Sequence, residues 1–453
     1  MGSRFVNVDR ETPMLFPVDM RDWVPEDHPV HFIIEAVDEL GLQGFHINGR
    51  GTGNEQYHPA MMLSLLIYCY SSGRFHSRKI EEATYTDVAI RYICGGGLHP
   101  DHDTICKFRR ENGELFRECF VKVLAMANRL GVLRRTGSVS IDGTKILANA
   151  SKSQTVGYAE AGKLIEQLSL EVEGFLKRAE EADRTDDSDR LNIPKEISRR
   201  KERMEKLKEA RRIIEGQFEE KRRTDREEYE KKLEDMRRKN DDGGGSRSLR
   251  PNTPKKKPID EFRYNFTDPE SKLMRRSDGI GYGQLYNSQA AVDGEGSRLI
   301  LGRYVTDRCN DLKELPHAVG SVDGKTRMIN EVLVDGGYFN DELIEEVEDG
   351  GKMKVYAPVG KTFEPGKAQK RSPLREEMFK RLQTKDGKEK QKKRRQISEP
   401  VFGIIKEAMG FRKFVMRGLS KVNIEWDLIT LAYNFKRLFK LVGMPEFFRT
   451  AGA

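Results

Sequence analysis

GSVSIDGTKILAN, residues 137–149, is where the chain changes period. Upstream of it the apolar residues recur at helical spacing. This run is β-rich and carries Asp142 near its middle, where a first strand is expected to end. MINEVLVDGGYF, residues 328–339, is its counterpart: a short apolar strand that ends at Asp335. Between them, QLYNSQAAVD (284–293) and RLILGRYVT (298–306) flank GEGS and predict a hairpin. A helix is expected from Asp311 to Ala318. Strands and helices mixed in this way predict an α/β class with a mixed sheet.

The flanks are helical. His31–Leu40, His58–Tyr70 and Ile80–Ile93 carry helical spacing, with Pro59 in a first turn. Asp103 is the expected N-cap of a helix running through Phe108, Phe116 and Phe120. Arg74, Arg78, Lys79, Lys107, Arg109 and Arg110 lie among these short helices. They suit either a helix-turn-helix-like DNA module or a bundle with solvated charges, and the sequence leaves both open. Residues 160–240 switch to long helices dense in Glu, Lys and Arg. Two are expected, Ala159–Ala182 and Ile197–Lys239, the second with a seam of Ile197, Met204, Leu207, Ile214 and Phe218. They predict a helical hairpin arm, which in its plainest form is a solvated antiparallel pair. Residues 240–258 read as a flexible linker by composition. Ile424–Leu441 predicts a core-docking helix.

The chain has 453 residues, enough for two to four domains by the usual domain size of roughly 100–200. Hydrophobic residues are 37% and charged residues 34%, so part of the chain must be solvated rather than core. Lys and Arg total 81 against 73 acids, for a net +8. An anionic partner, nucleic acid first, is the expectation. Residues 367–396 alone hold 13 Lys/Arg against 4 Asp/Glu, a local +9, so the remainder nearly balances. Five scattered cysteines predict reduced thiols and a cytoplasmic address. The N-terminus shows no apolar secretory segment, and no run is long enough for a membrane span. Cys94, His99, His102 and Cys106 have loose zinc-like spacing, though the more ordinary reading of His102 is as part of the DHDTI loop. No phosphate loop with a following lysine is present, so ATP dependence is not expected.

The chemistry-bearing residues are acids. Asp142 and Asp335 end predicted strands, where ligand sites of α/β sheets form, and each precedes a glycine that frees the chain to turn. Asp-Gly is also a common turn dipeptide, and Asp293-Gly294 and Asp323-Gly324 read as turns. Glu399 follows the +9 run in RRQISEPVFGIIK, with Pro400 placed for the first turn of a helix. Arg395, Glu399 and Lys406 are spaced to share a helical face. A plain salt-bridge ladder would have the same spacing.

Taken together, these segments resemble the DDE transposases of bacterial insertion sequences. The resemblance rests on PVDMRDWVPEDHPVHFI, DHDTICKFR, SIDGTKILANASK, TDPESKLM, YNSQAAVD, VLVDGGYF, EPVFGIIKEAMGFRKFVMRG and LAYNFKRL, which span most of the chain. It implies a ribonuclease H-like catalytic domain with Asp142, Asp335 and Glu399 as catalytic and metal-ligating residues. The family pattern around the last acid, Tyr-x2-Arg-x3-Glu-x6-Lys, is met by Arg395, Glu399 and Lys406. Lys392 stands where the family has tyrosine. The gaps are 193 residues from Asp142 to Asp335 and 64 from Asp335 to Glu399.

The organisation expected on this basis is a helical DNA-binding domain over 1–132 and a catalytic domain over 133–450. The latter is interrupted by a charged helical arm and linker over 153–260. The implied activity is binding of terminal inverted repeats, strand cleavage, and joining of 3′ hydroxyls to target DNA. Two Mg2+ or Mn2+ ions would be the cofactors, since paired divalent ions suit phosphodiester chemistry. Lys392, Arg394, Arg395 and Lys406 would hold the DNA backbone. The expected partners are double-stranded DNA and further copies of the chain on that DNA, in a bacterial cytoplasm at the nucleoid, with no membrane. The alternatives are a nuclease of the same fold that cuts without joining, and a non-catalytic DNA-binding remnant or regulator.

Overall fold

A computed structural model describes residues 19–43, 56–185, 193–241, 253, 258–276, 279–360 and 373–444. The chain divides into two compact units, residues 1–146 with 286–453, and residues 147–285.

In the first unit the chain enters through α1 (Pro29–Glu39) and α2 (Pro59–Ser71), each with proline in its first turn. α3 (Ser77–Thr86) and α4 (Val88–Ile93) follow, then α5 (His102–Glu111) and α6 (Gly113–Arg129). Where one helix over Ile80–Ile93 was expected, the chain breaks at Asp87. That carboxylate accepts from the Ile90 amide at 3.1 Å and from Arg74 at 2.9 Å, and so caps a new helix. The N-cap of α5 is Asp101, not Asp103, because it is the Asp101 carboxylate that takes the Thr104 amide at 2.8 Å. The helix expected to continue to Phe120 is interrupted at Asn112, whose side chain turns back to the Phe108 carbonyl.

β1 (Thr136–Leu147) comes next. Asp142 is therefore inside the strand and not at its end. In the second unit the chain forms β2 (Thr155–Gly157), α7 (Tyr158–Thr185), α8 (Ile193–Asp241), β3 (Arg263–Asn265) and β4 (Lys272–Arg275). α7 and α8 are the expected hairpin. Leu207 and Ile214 of the predicted seam are buried, as is Ala210 beside them, and Leu207 and Ala210 cluster with Val156 and Ala161. Charged contacts join the two helices: Arg200 reaches Glu171 at 2.7 Å, and the Arg211 guanidinium lies 4.3 Å from the Tyr158 ring centre. Most of the predicted linker lies outside the described residues.

β5 (Tyr282–Asp293) and β6 (Ile300–Thr306) form the predicted hairpin. α9 (Leu315–Gly320) starts at Leu315 and not at Asp311; Glu314 is its N-cap, with Pro316 in the first turn. β7 (Met328–Leu333), α10 (Asp341–Glu348), β8 (Lys354–Tyr356), α11 (Pro373–Gln383), α12 (Lys385–Gly403) and α13 (Leu419–Val442) follow among the described residues. The sheet order is β4-β5-β1-β7-β8, with β6 also paired to β5. β1, β7 and β8 are parallel. Bonds from Gly294 to Ser138 and from Ala148 to Gln284 make β5 antiparallel to β1. This is the mixed sheet of a ribonuclease H-like fold. No helix among the described residues is long and apolar enough to cross a membrane.

α13 is buried on nearly every side, with Trp426, Leu428, Ile429, Leu431 and Phe435 at 1% exposure or less. Each such side chain contributes about 1.5–3 kcal/mol on burial. α13 also closes the open edge of β6. Asn434 accepts from the Ile300 amide at 2.9 Å and donates to the Ile300 carbonyl at 2.8 Å. Asn423 does the same for Val305, at 2.8 and 3.1 Å. Along the helix the two asparagines are about 16.5 Å apart, at 1.5 Å per residue. Along the strand their partners are also about 16.5 Å apart. The amides thus replace a missing neighbour strand, which protects an edge from unwanted pairing.

Replacing Asn434 with Leu removes both bonds and leaves two buried backbone groups unpaired. The expected cost is about 2–4 kcal/mol, read as a lower urea midpoint. An unchanged midpoint would show that the edge does not need this cap.

Candidate active site

Two aspartates meet through strand register. β1 pairs with β7 so that Ser138 faces Glu331, Val139 faces Val332 and Ser140 faces Leu333. Continued two residues, that register sets Asp142 opposite Asp335. The alignment depends on an irregularity. Gly137 faces Ile329, so Asn330 is an extra residue before the Ser138–Glu331 pair. Without it, Asp142 would be opposite Val334, and Asp335 would point to the other face of the sheet.

The irregularity sits on a polar network built around a buried ion pair. Arg327 and Asp293 pair at 2.8 Å and are 0% and 1% exposed. Arg327 also donates to the Ser138 carbonyl at 3.1 Å and to the Arg134 carbonyl. Glu295 accepts from the Ser138 amide at 3.0 Å and from its hydroxyl at 2.6 Å. Gly137 is required here, since a Cβ would come within 2.4 Å of Arg327 Nη2.

Gly143 has a different role from the expected sharp turn. β1 continues through it, and what it provides is close approach. A Cβ there would meet Gln289 Nε2 at 2.4 Å, Asp311 Oδ1 at 2.9 Å and Asn287 Oδ1 at 3.0 Å. These three side chains form a shelf in the space that a side chain at Gly143 would take, and the charge of Asp311 acts on Asp142. Asp311 Oδ1 accepts from Asn287 at 2.8 Å and from Gln289 at 2.7 Å. The Tyr338 hydroxyl donates to Gln289 Oε1. Burial, with Asp311, Asp142, Tyr304 and Asp335 nearby, holds the Tyr338 phenol well above its usual range. Asp335 itself caps the short turn Gly336–Tyr338, accepting from the Gly337 amide at 2.8 Å. Sequence reasoning passed over Asp311, Asn287, Gln289 and Tyr338. The signal was YNSQ in a central strand: Asn287 and Gln289 are two apart, on one face, and a buried amide needs a partner.

Glu399 is on α12. The part of the +9 segment from Lys385 onward and Glu399 belong to one helix, so Pro400 sits inside its last turn and does not start a new helix. Proline there removes the donor to the carbonyl of Gln396, an exposed position. The helix continues into the π-turn Ile404–Ala408, which carries a half-buried Lys406. α12 lies on β1 through a buried hydroxyl contact, Ser398 Oγ to Ser140 Oγ at 2.6 Å. Glu399, next to Ser398, is exposed.

Asp142 feels all of this. Burial, with the charges of Asp335 and Asp311, pushes its carboxyl up to about 7, against the opposing pull of Arg394 and the Gly143 amide. Arg394 Nη1 is 3.8 Å from Asp142 Oδ2. The register thus unites Asp142 and Asp335, but the Glu399 side chain does not close on them: no three carboxylate, histidine or cysteine groups converge on one point among the described residues. The donors present are hard oxygens in surplus negative charge, the chemistry a divalent cation takes.

The basic residues divide. Lys392 and Arg395 are exposed. Lys390 is taken up by Glu331 and by Asp386 at 2.9 Å, and Arg381 by Glu348 and by Glu377 at 2.8 Å. Among the N-terminal helices, Arg109 is buried on Tyr70 and the Phe75 carbonyl, while Arg78, Lys79, Lys107 and Arg110 are exposed. The zinc-like set is dispersed onto other partners. His99 stacks on Tyr85, His102 bonds Glu81 at 2.8 Å and Cys106 bonds Ser77.

Two family comparisons match the chain: residues 18–111 match a transposase domain (DUF772), and residues 362–439 match a transposase DDE domain. No curated protein and no solved structure matches.

The raised carboxyl of Asp142 has a pH consequence. A group whose folded value is above its unfolded value favours folding at low pH, and that contribution is lost as pH rises through about 7. Asp142→Asn is therefore expected to be more stable than wild type at pH 8, by about 1–3 kcal/mol, with the difference shrinking toward pH 5. Denaturant midpoints at the two pH values check this; a difference independent of pH would contradict it.

Proposed function

We propose that this chain, which belongs to the DDE transposases of insertion sequences, cuts and joins DNA at the carboxylates aligned between β1 and β7. Asp142, Asp335 and Glu399 are its catalytic residues. The observation that carries this reading is the register of β1 on β7, whose continuation by two residues sets Asp142 opposite Asp335 across 193 residues of chain. The charged hairpin and the β5–β6 strands intervene, so the pairing reflects the fold and not local sequence.

Asp142 and Asp335 would hold divalent ions, Mg2+ or Mn2+ and two in number, with Glu399 rotating in from α12 to complete the site. Such ions activate the attacking hydroxyl and stabilise the leaving oxygen. The remaining work falls to the chain. Ser398 on Ser140 seats α12 on β1, the helix from which Glu399 would reach the site. Asn287 and Gln289 hold Asp311 beside Asp142, adding to the negative potential there. Lys392 and Arg395, exposed on α12, bind phosphates next to the carboxylates, and Lys406 extends the same surface. The exposed cations of the N-terminal helices bind the inverted repeats at the element's ends. Strand cleavage then frees 3′ hydroxyls for joining to target DNA, by a dimer or larger assembly on the DNA.

A second reading is a DNA-binding regulator without catalysis. The open position of Glu399 and the lysine at 392 are what favour it.

Asp142→Asn, Asp335→Asn and Glu399→Gln are each expected to reduce metal-dependent cleavage of end DNA by at least about 10²-fold, while binding persists. Retained cleavage in any one removes that residue from the catalytic set, and a wild type that binds but never cuts favours the regulator. Phosphate contacts release counterions, with a slope of about −0.9 per contact in log affinity against log salt. Lys392→Ala with Arg395→Ala should flatten that slope by about 1–2, equally on end and unrelated DNA. An unchanged slope would make the exposed face of α12 a solvated surface.

A further inference from the structure

Arg394 differs from its basic neighbours. Lys392, Lys393 and Arg395 are exposed, whereas the Arg394 side chain is only 14% exposed and faces β1. The geometry of the two elements brings this about. One helical turn separates Arg394 from Ser398, about 6 Å along the helix axis. Two residues separate Ser140 from Asp142, about 6.6 Å along the strand and on the same face. With Ser398 seated on Ser140 at 2.6 Å, Arg394 comes over Asp142. The guanidinium stops 3.8 Å from the carboxylate oxygen, close enough for charge attraction and too far for a hydrogen bond. The other charges acting on Asp142 are Asp335, from the end of β7, and Asp311, from the segment before α9, both negative. Arg394 is thus the cation set against these acids, and it is loosely held.

Resting on the reading of Asp142 as a metal ligand, we propose that Arg394 is a positioning residue that competes with the divalent cation for Asp142 and gives way when a DNA phosphate draws it off. Two cations cannot share one carboxylate oxygen at short range without strong repulsion. A guanidinium loosely placed on a carboxylate has a better partner in a phosphate, to which it binds through two parallel N–H groups. α12 presents Lys392 and Arg395 to the same backbone, so an arriving phosphate has a path to Arg394. Metal and DNA are then coupled through one side chain. Because such coupling is reciprocal, DNA tightens metal binding and metal tightens DNA binding. The free protein is kept a weak metal binder until DNA is in place.

The test is titration of the full-length protein with Mn2+, by calorimetry or by electron paramagnetic resonance of the free ion, with and without a short duplex. Arg394→Ala is expected to bind Mn2+ about tenfold tighter than wild type in the absence of DNA. That is a conservative figure for removing a unit charge about 4 Å away. Arg394→Lys, which keeps the charge, is expected to stay near wild type. Duplex should tighten Mn2+ binding by a larger factor in wild type than in Arg394→Ala. Should Arg394→Ala fail to fold, Arg394→Gln keeps the side-chain length without the charge and gives the same readout. Equal or weaker Mn2+ binding by the neutral variant overturns the proposal. Asp142→Asn separates the two levels of the argument. If it leaves Mn2+ affinity unchanged, the assignment of Asp142 as a ligand fails. If it weakens Mn2+ binding while Arg394→Ala changes nothing, only the competition fails.

Discussion

Parallel pairing of β1 on β7, with one residue of slack at Asn330, is the constraint on which the site depends. A strand has a side-chain period of two, so a one-residue slip exchanges the two faces of the sheet. The extra residue is absorbed where the buried Arg327–Asp293 pair, Glu295 and Ser138 form a hydrogen-bonded polar network. Removing one partner of such a network costs far more than the network contributes as a whole. That asymmetry makes the register hard to lose and places Asp142 across from Asp335.

The helices extend this logic to the rest of the unit. α13 fills the core and satisfies the edge of β6 with two asparagines spaced to match the strand. It also joins α6 to the sheet: Asp427 holds Arg303 at 2.9 Å and Arg117 at 3.2 Å, and Arg303 lies over the Phe120 ring. α12 docks by the small Ser398–Ser140 contact, which allows it to approach β1 closely enough for Arg394 to reach Asp142. Of the strongly basic segment, some cations are consumed by structural pairs and some are left outward. Net charge read along the chain therefore overstates what a polyanion would meet.

Much of the architecture was legible in the sequence because its causes are local. The change from helical to strand period at Gly137, the GEGS turn, the proline in the first turn of α2 and the seam of α8 each depend on residues within a few positions of one another. The long charged hairpin was readable for the same reason. The errors were also local in origin. Asp87 and Asn112 broke helices that periodicity alone would have continued, since a capping side chain is a competitor that apolar spacing does not register. Pro400 was read as a helix start because proline favours first turns, yet it sits in the last turn of α12.

For the site, the acids were found by residue type, by their place in predicted strands and by resemblance, and the sequence by itself determined little more than which carboxylates to consider. Their alignment is tertiary: it requires strands 193 residues apart to pair in one register, and that register turns on an extra residue held by Arg327 beside it and by side chains from β1 and the β5–β6 turn. The shelf of Asn287, Gln289 and Asp311 appeared only when β5 was laid beside β1 and Gly143 left room for it. The division of neighbouring cations into the outward Lys392 and Arg395 and the inward Arg394 was likewise decided by docking. Rotation by about 100° per residue gives adjacent helical residues different surroundings. Which of those surroundings is solvent and which is a carboxylate is set by the surface against which the helix is packed.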